Sequence, residues 1–284
     1  MKNILLVGCG DLAIRLADCL PAESFQLWGL HRSNKPLPAA IRSLQADVTD
    51  PDSLSVLSKQ HFDVVIFTLI PGEFNEQRYR QVYVEGTANV LAALKDDRLT
   101  RIIFVSSTSV YNQQDGGWVD ETSPVEPASF SGQTLLAAEK LCQDYPVPAT
   151  IIRFAGIYHS ESTRLIDEVI AGKPASSHYS NRIHRADCAG FMAHVLHMPE
   201  ALISDCYIGV DNEPTPMVTL KNWLADQLDC PRPSLTDKAS ARGGNKRCSN
   251  RRLLATGYHL QYGSYREGYG PALQAVIEKQ KEIN

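Results

Sequence analysis

The sequence predicts an α/β fold, a doubly wound parallel sheet with a smaller C-terminal lobe. Three observations carry that expectation. A short apolar run, Ile4 to Val7, enters a turn, Gly8-Cys9-Gly10, that opens at once into helical periodicity with Leu12, Leu16 and Leu20 on one stripe. Apolar runs then alternate with helical stretches, the βαβ pattern of a parallel sheet. The run Asp63 to Leu69 is almost continuously apolar, as a strand buried on both faces requires.

The elements follow in order. Phe25 to Leu30 reads as the second strand and Ser43 to Ala46 as the third. Asp50-Pro51 is a good helix start, because Asp caps and Pro suits the first helical position. Asp63 to Leu69 is the fourth strand, Glu73 to Lys95 a long helix, Arg101 to Val105 the fifth strand and Ala149 to Phe154 the sixth. Helices are expected over Glu161–Ala171, Ala186–Leu196 and Thr219–Leu228, with a loop over Lys173–Arg182 and a returning strand at Cys206–Val210. The expected division is a first domain over residues 1–157 with return elements at about 183–210, and a substrate lobe of 158–182 and 211–284.

The opening turn carries the chemistry. Gly8 permits the tight bend, Gly10 lets a pyrophosphate approach the backbone, and Ala13 meets the need for close helix–strand packing. Free N–H groups at Asp11 and Leu12 would hold phosphates at the helix start. This is a dinucleotide-binding fingerprint in its proper strand–turn–helix context. The second strand ends in His31-Arg32-Ser33 rather than in a carboxylate. Arg32, with Ser33 and Lys35 nearby, suits a 2′-phosphate, so NADP is favoured over NAD. Asp47, followed by Val48, either reaches the adenine amino group or simply ends a strand. Thr68 and Leu69 are expected over the cofactor, as are Ser106, Phe154 and Gly156.

The chain has 284 residues, 43% hydrophobic and 21% charged, with net charge −4. Mild acidity gives no case for binding nucleic acid or a membrane surface. No apolar run is long enough to cross a bilayer. The first strand begins at once, so no targeting peptide is expected. Seven scattered cysteines without a CxxC pair read as reduced thiols of a cytoplasmic protein, not as a metal site.

Further motifs carry a family resemblance. They are Val84-x-Gly86-Thr87-x-Asn89-Val90-Leu91, Phe104-Val105-Ser106-Ser107-Thr108-Ser109-Val110-Tyr111, Asp120-Glu121-x-x-Pro124, Ala137-Ala138-Glu139, Ile152-Arg153-x-x-Gly156-Ile157-Tyr158 and Ile183-His184-x-x-Asp187. With the opening glycines, the set resembles an extended short-chain dehydrogenase/reductase of the NAD-dependent epimerase/dehydratase group. The tail, Asn245-Lys246-Arg247 to Asn250 and Tyr265-Arg266-Glu267-Gly268, is similar to an atypical branch. The resemblance implies a Rossmann-type domain, a carbonyl or nucleotide-sugar substrate, and a homodimer pairing through Glu73–Lys95 and Ser131–Gln143.

It also implies a Tyr–Lys pair, YxxxK, for proton exchange. Those positions hold Ser131 and Leu135, and none of the eleven tyrosines has a Lys four residues later. Ser107 matches the family's catalytic serine, with Thr108 beside it. Tyr111, Tyr158, His159 and His184 are the other proton-donor candidates, each with a packing role as its alternative. Tyr158 and Arg247 are candidate substrate contacts. The basic stretch Lys238–Arg252, containing Arg242, Lys246, Arg247, Arg251 and Arg252, suits an anionic ligand or a solvated surface. Two readings therefore stand: an NADP-dependent oxidoreductase, epimerase or dehydratase of atypical mechanism, and a catalytically silent NADP(H) sensor.

Overall fold

The computed structural model describes residues 1–94, 98–237 and 244–283. The chain runs β1 (Lys2–Val7), α1 (Asp11–Asp18), β2 (Phe25–His31), β3 (Ile41–Gln45) and a 3-10 segment Asp52–Lys59. After β4 (Val64–Phe67), α2 (Glu76–Tyr79) continues through a π-helical segment, Arg80–Glu85, into α3 (Gly86–Ala93). There follow β5 (Arg101–Ser107), β6 (Trp118–Val119), α4 (Phe130–Gln143), β7 (Ala149–Phe154), β8 (Gly156–Tyr158) and α5 (Arg164–Ile170). Then come β9 (Ala175–Ser176), β10 (Tyr179–Ser180), β11 (Arg182–His184), α6 (Arg185–His197), β12 (Cys206–Gly209), β13 (Thr215–Pro216) and α7 (Met217–Gln227). The chain ends with β14 (Leu235–Thr236), β15 (Arg247–Cys248), α8 (Arg251–Ala255) and α9 (Tyr265–Ile283).

Seven strands form one sheet in the order β12-β7-β5-β4-β1-β2-β3, a Rossmann-type doubly wound arrangement. Strand β1 pairs in parallel with β2 (Ile4 opposite Leu27) and with β4 (Ile4 opposite Val64). Its apolar run and all of β4 are buried, because helices cover such a sheet on both faces. The strand order reverses beside β1. A crevice beyond the carboxyl ends is expected there.

The buried face of α1 is Ala13, Leu16 and Ala17, and Leu20 just past its end extends the i, i+3, i+4, i+7 set. Of the expected stripe, Leu16 and Leu20 are buried and Leu12 is only half-buried. The helix expected after Asp50 is a 3-10 segment, with Asp50 Oδ1 accepting the Asp52 N–H at 3.2 Å. The long helix expected over Glu73–Lys95 begins at Glu76, capped by the Asn75 side chain, and its last residue, Lys95, lies outside the described residues. The stretch expected as the loop Lys173–Arg182 holds β9 and β10 and reaches the start of β11.

Contacts divide the chain into two compact units. The first is Met1–Val110, Val125–Arg153 and Ala189–Tyr207; the second is Tyr111–Pro124, Phe154–Cys188 and Ile208–Asn284. This corrects the expected boundaries, since 111–124, 154–157, 183–188 and 208–210 belong to the second unit. Pairing is the reason: β6 with β15, and β8 with β11. Two further ladders, β9 with β14 and β10 with β13, lie in the same unit. Its core packs Leu165, Ile166 and Val169 of α5 with Leu220 and Leu224 of α7 and Tyr265, Tyr269 and Leu273 of α9. Asp187 is fully buried and ties down the loop before α9, accepting from Gln261 N (2.6 Å), Tyr262 N (3.0 Å) and Tyr258 Oη (3.1 Å).

Candidate dinucleotide site

Gly8 stands at φ +93°, where a side chain is strained, and a Cβ there would come within 3.0 Å of the Thr68 carbonyl oxygen. Thr68 locks the same approach, its hydroxyl donating to the Gly8 carbonyl at 2.6 Å. The ends of β1 and β4 are thus held together by backbone contact. Beyond them lies a cavity of about 260 Å³ in the first unit. It gathers eight of the residues expected at the cofactor: Gly8, Gly10, Arg32, Ser33, Asp47, Val48, Thr68 and Leu69. Gly10 carries no side chain into this space. A Cβ there would meet Ile70 at 3.7 Å.

Two guanidinium groups, Arg32 and Arg78, act on Asp47. Burial pushes its carboxyl up, but hydrogen bonds from Thr49 N and Oγ1, with Arg32 and Arg78 nearby, hold it below the usual carboxylate range. Arg32 Nη1 lies 3.9 Å from Asp47 Oδ2. Arg78 and Val82 line the cavity from across the chain, as do Cys9, Leu30, His31, Ala46 and Ile70. Ile70 belongs to the loop Thr68–Pro71 expected over the cofactor; the other six were not expected there. Arg78 was hidden because it sits in a helix 46 residues beyond Arg32, and no local spacing connects them. The Cys9 thiol is pushed up to about 12 by burial, so it is no thiolate nucleophile.

The Val84-x-Gly86-Thr87-x-Asn89 motif supports this pocket. Asn89 Nδ2 donates to the Val48 carbonyl at 2.9 Å, and a Cβ at Gly86 would strike Val48 Cγ2 at 2.7 Å. The glycine lets α3 abut the Asp47–Val48 turn, and the asparagine pins it.

Other expected residues are not among those lining the cavity. For Asp11 and Leu12 the expectation concerns the backbone N–H groups at the helix start; the Asp11 side chain is engaged by Arg15 at 3.1 Å. Ser106 is buried and donates to Glu139 Oε1 at 2.5 Å, so its hydroxyl serves the core. Phe154 and Gly156 belong to the second unit. Phe154 packs on Gly209, where a Cβ would be 2.2 Å from its ring, and Gly156 N donates to the Asn181 carbonyl at 3.1 Å. Ser107 is half-buried, its Oγ accepting the Ser109 N–H at 3.2 Å, and Thr108 is buried.

Two of the alternative proton donors, Tyr158 and His184, are already committed. Tyr158 is buried, stacks on Tyr269 at 4.8 Å and donates to the Ser264 carbonyl; burial pushes its hydroxyl well above the usual range. This takes away its expected substrate contact. His184 Nδ1 accepts the Ala186 N–H at 3.3 Å, so Nε2 carries the proton toward Ser160 Oγ at 3.0 Å. That tautomer cannot take a proton from Ser160. Tyr111 is buried, its carbonyl accepting Lys246 Nζ at 3.0 Å. His159 Nδ1 accepts the Glu161 N–H at 3.2 Å. Arg247 lies 5.1 Å from both the Trp118 and Tyr179 ring centroids and donates to the Gly116 carbonyl, which makes it a brace for β6. Of the basic stretch, Lys238–Gly243, including Arg242, lies outside the described residues.

At the usual Tyr and Lys positions, Ser131 Oγ is 3.1 Å from Ser129 Oγ, and Leu135 is buried. Phe130, beside Ser131, packs against Phe74 (4.9 Å) and Tyr79 (5.4 Å). Tyr79 is thus a phenol that sequence reasoning missed. Lys140 is paired with Asp144 at the surface. No group of three or more His, Cys, Asp or Glu among the described residues is placed to hold a metal ion, and no described helix is long and apolar enough to cross a membrane.

A glycine turn at a strand-order reversal, with arginines and an aspartate facing one crevice, defines a dinucleotide-binding α/β protein. The family model described as NAD(P)H-binding matches residues 8–199, and the chain belongs to that family, among proteins of the NAD-dependent epimerase/dehydratase type. Protein YeeZ of Escherichia coli K12 is 30% identical over 217 residues, covering 70% of this chain and 75% of its own length. A Methylobacillus flagellatus protein designated a candidate NAD-dependent epimerase/dehydratase is 38% identical with a TM-score of 0.82, covering 97% of this chain and 98% of that one. UDP-glucuronic acid 4-epimerase from Bacillus cereus, solved with UDP-glucuronic acid and NAD, is 20% identical with a TM-score of 0.77, over 99% and 100% of the two chains. That last likeness is one of fold.

Proposed function

We propose that the protein is an NADP(H)-preferring oxidoreductase, epimerase or dehydratase acting on a carbonyl or nucleotide-sugar-like substrate without the usual Tyr–Lys pair. The observation that supports the reading is that Arg32 and Arg78 line one cavity with Asp47 and both act on its carboxylate. Two guanidinium groups suit the 2′-phosphate that distinguishes NADP, whereas an NAD site ordinarily offers a carboxylate to the ribose 2′-hydroxyl. Asp47 would then take the adenine amino group. The open backbone at Gly8 and Gly10 fits a pyrophosphate, with N–H groups of Asp11 and Leu12 at the helix start as donors.

When bound, the dinucleotide supplies hydride exchange with a substrate carbon. Ser107 would offer a hydrogen bond to a substrate oxygen. Tyr79, which packs on Phe130 next to Ser131 in the chain, would replace the missing proton donor. A homodimer through α2–α3 and α4 belongs to the same proposal.

A second reading, a silent NADP(H) sensor, is favoured by one specific set of observations: Tyr158 and His184 are committed to structural hydrogen bonds. Calorimetric titration of cofactor-stripped protein with NADP, NADPH, NAD and NADH tests the cofactor claim, and absence of binding to all four sinks both readings. NADPH oxidation across a panel of carbonyl compounds then separates enzyme from sensor. Loss of turnover in Ser107→Ala and in Tyr79→Phe, with NADPH affinity retained, supports the enzyme.

A further inference from the structure

The carboxylate of Asp47 is fixed on the lining of the dinucleotide cavity by short-range bonds. Its Oδ1 accepts the Thr49 N–H at 2.9 Å and the Thr49 hydroxyl at 2.8 Å. The Asp47 N–H donates to Ser53 Oγ at 3.0 Å, and the Ser53 hydroxyl returns a bond to the Asp47 carbonyl at 3.0 Å. The next residue, Val48, abuts Gly86, and its carbonyl accepts from Asn89. With Oδ1 taken by Thr49, Oδ2 is the oxygen 3.9 Å from Arg32 Nη1. Arg78, which also acts on this carboxylate, is anchored in turn by donating from Nε to the Pro71 carbonyl at 3.2 Å. All of these residues belong to the first unit.

A carboxylate fixed in this way leaves only part of the guanidinium charge for a further anion. A 2′-phosphate carries close to two negative charges near neutral pH. Held by Arg32, it would share that guanidinium with Asp47 and be repelled by it. The bonds within the turn keep the carboxylate from swinging aside. Asp47 is half-buried, so water screens the repulsion only in part. NAD(H) has a hydroxyl at the same position and escapes it. We propose that Asp47 is a specificity-determining residue, a fixed counter-charge that limits the preference for NADP(H) and keeps NAD(H) a usable cofactor. The inference rests on the NADP(H) reading and adds to it a residue that opposes the two arginines.

The test is the ratio of NADPH to NADH affinity, from calorimetric titration of the full chain. Any contact between Asp47 and the adenine is common to both cofactors and cancels in that ratio. Asparagine keeps an oxygen for the Thr49 N–H, so Asp47→Asn removes the charge and retains the turn. The preference for NADPH should rise by roughly threefold to tenfold in low salt, since a unit charge about 4 Å away in water-like surroundings is worth about fivefold. The gain should shrink in about 1 M salt, where charges are screened within about 3 Å. An unchanged or lower preference overturns the proposal, as does a gain that salt leaves intact. Asp47→Ser also keeps an acceptor for the Thr49 N–H and repeats the test. Loss of both cofactors from both variants would make Asp47 a requirement for binding and likewise overturn the proposal. Arg32→Ala and Arg78→Ala separate this inference from the reading beneath it. NADPH binding weakened by either, with a preference that Asp47→Asn does not move, removes the inference alone. NADPH binding that neither arginine variant weakens removes both.

Discussion

Arg153 grips the carboxylate of Glu139 through Nε to Oε1 at 3.1 Å and Nη2 to Oε2 at 2.6 Å, with both side chains buried. The pair joins two motifs of the family, Ala137-Ala138-Glu139 on α4 and Ile152-Arg153 on β7, and Ser106 on β5 adds a third. Removing one partner of such a pair leaves the other charge buried and uncompensated. Glu139→Gln should therefore lower stability by roughly 3–5 kcal/mol, read from the urea midpoint. The double variant Glu139→Leu/Arg153→Met should recover much of that loss, because no lone charge remains. A double variant no more stable than the single one would contradict this account.

Gly86→Ala should weaken cofactor binding although Ala is the better helix former. In an ordinary helix interior the change stabilises by about 0.5–1 kcal/mol. Here the new Cβ would meet Val48 Cγ2 at 2.7 Å, and the Asp47–Val48 turn must move. The expected cost is about 1–3 kcal/mol of overpacking, together with loss of NADPH affinity, measured by denaturation and calorimetry on one sample. Unchanged affinity would mean that the turn does not form part of the binding site.

Arg32→Ala and Arg78→Ala should each weaken NADP(H) by roughly tenfold, about 1.4 kcal/mol, with little effect on NAD(H). Equal losses for both cofactors would place the arginines away from the 2′-phosphate.

Asp211 makes stability depend on pH. Burial pushes its carboxyl up to about 7, against the Glu213 N–H and Arg182, and with help from Glu213 and Asp187. A carboxyl whose folded pKa is raised favours the folded state while it is protonated. That contribution is full below about pH 4 and is lost as pH rises through about 7. Asp211→Asn cannot ionise, so it should gain on the wild type across this interval. The gain at pH 8 is expected to be on the order of a few kcal/mol and to shrink toward pH 4. Urea midpoints at the two pH values check it; an equal difference at both would assign the effect to packing.

Much of the first unit was legible because parallel-sheet physics writes itself locally. A strand buried on both faces must be an apolar run, as Val64–Phe67 is, and a backbone that must approach a phosphate must lack side chains, as Gly8 and Gly10 do. Those constraints act within a few residues, so the sequence by itself determined the fold class, the turn and the bulk of the cavity lining. It also showed that no tyrosine has a lysine four residues later, which is a matter of residue identity.

Only the tertiary structure decided what each polar motif residue is for. Nothing near Ser106 in the chain shows that its hydroxyl is taken by Glu139, and nothing near Asp187 shows that it holds the loop at Gln261. Tyr158 and His184 looked like candidates for chemistry until their hydrogen-bond partners were known, and Arg78 became a cofactor candidate only when α2 carried it to Asp47. The physical reason is common to all of them. A buried polar group must be satisfied, but its partner can come from any part of the chain, so the role of the group is set by long-range contact rather than by spacing.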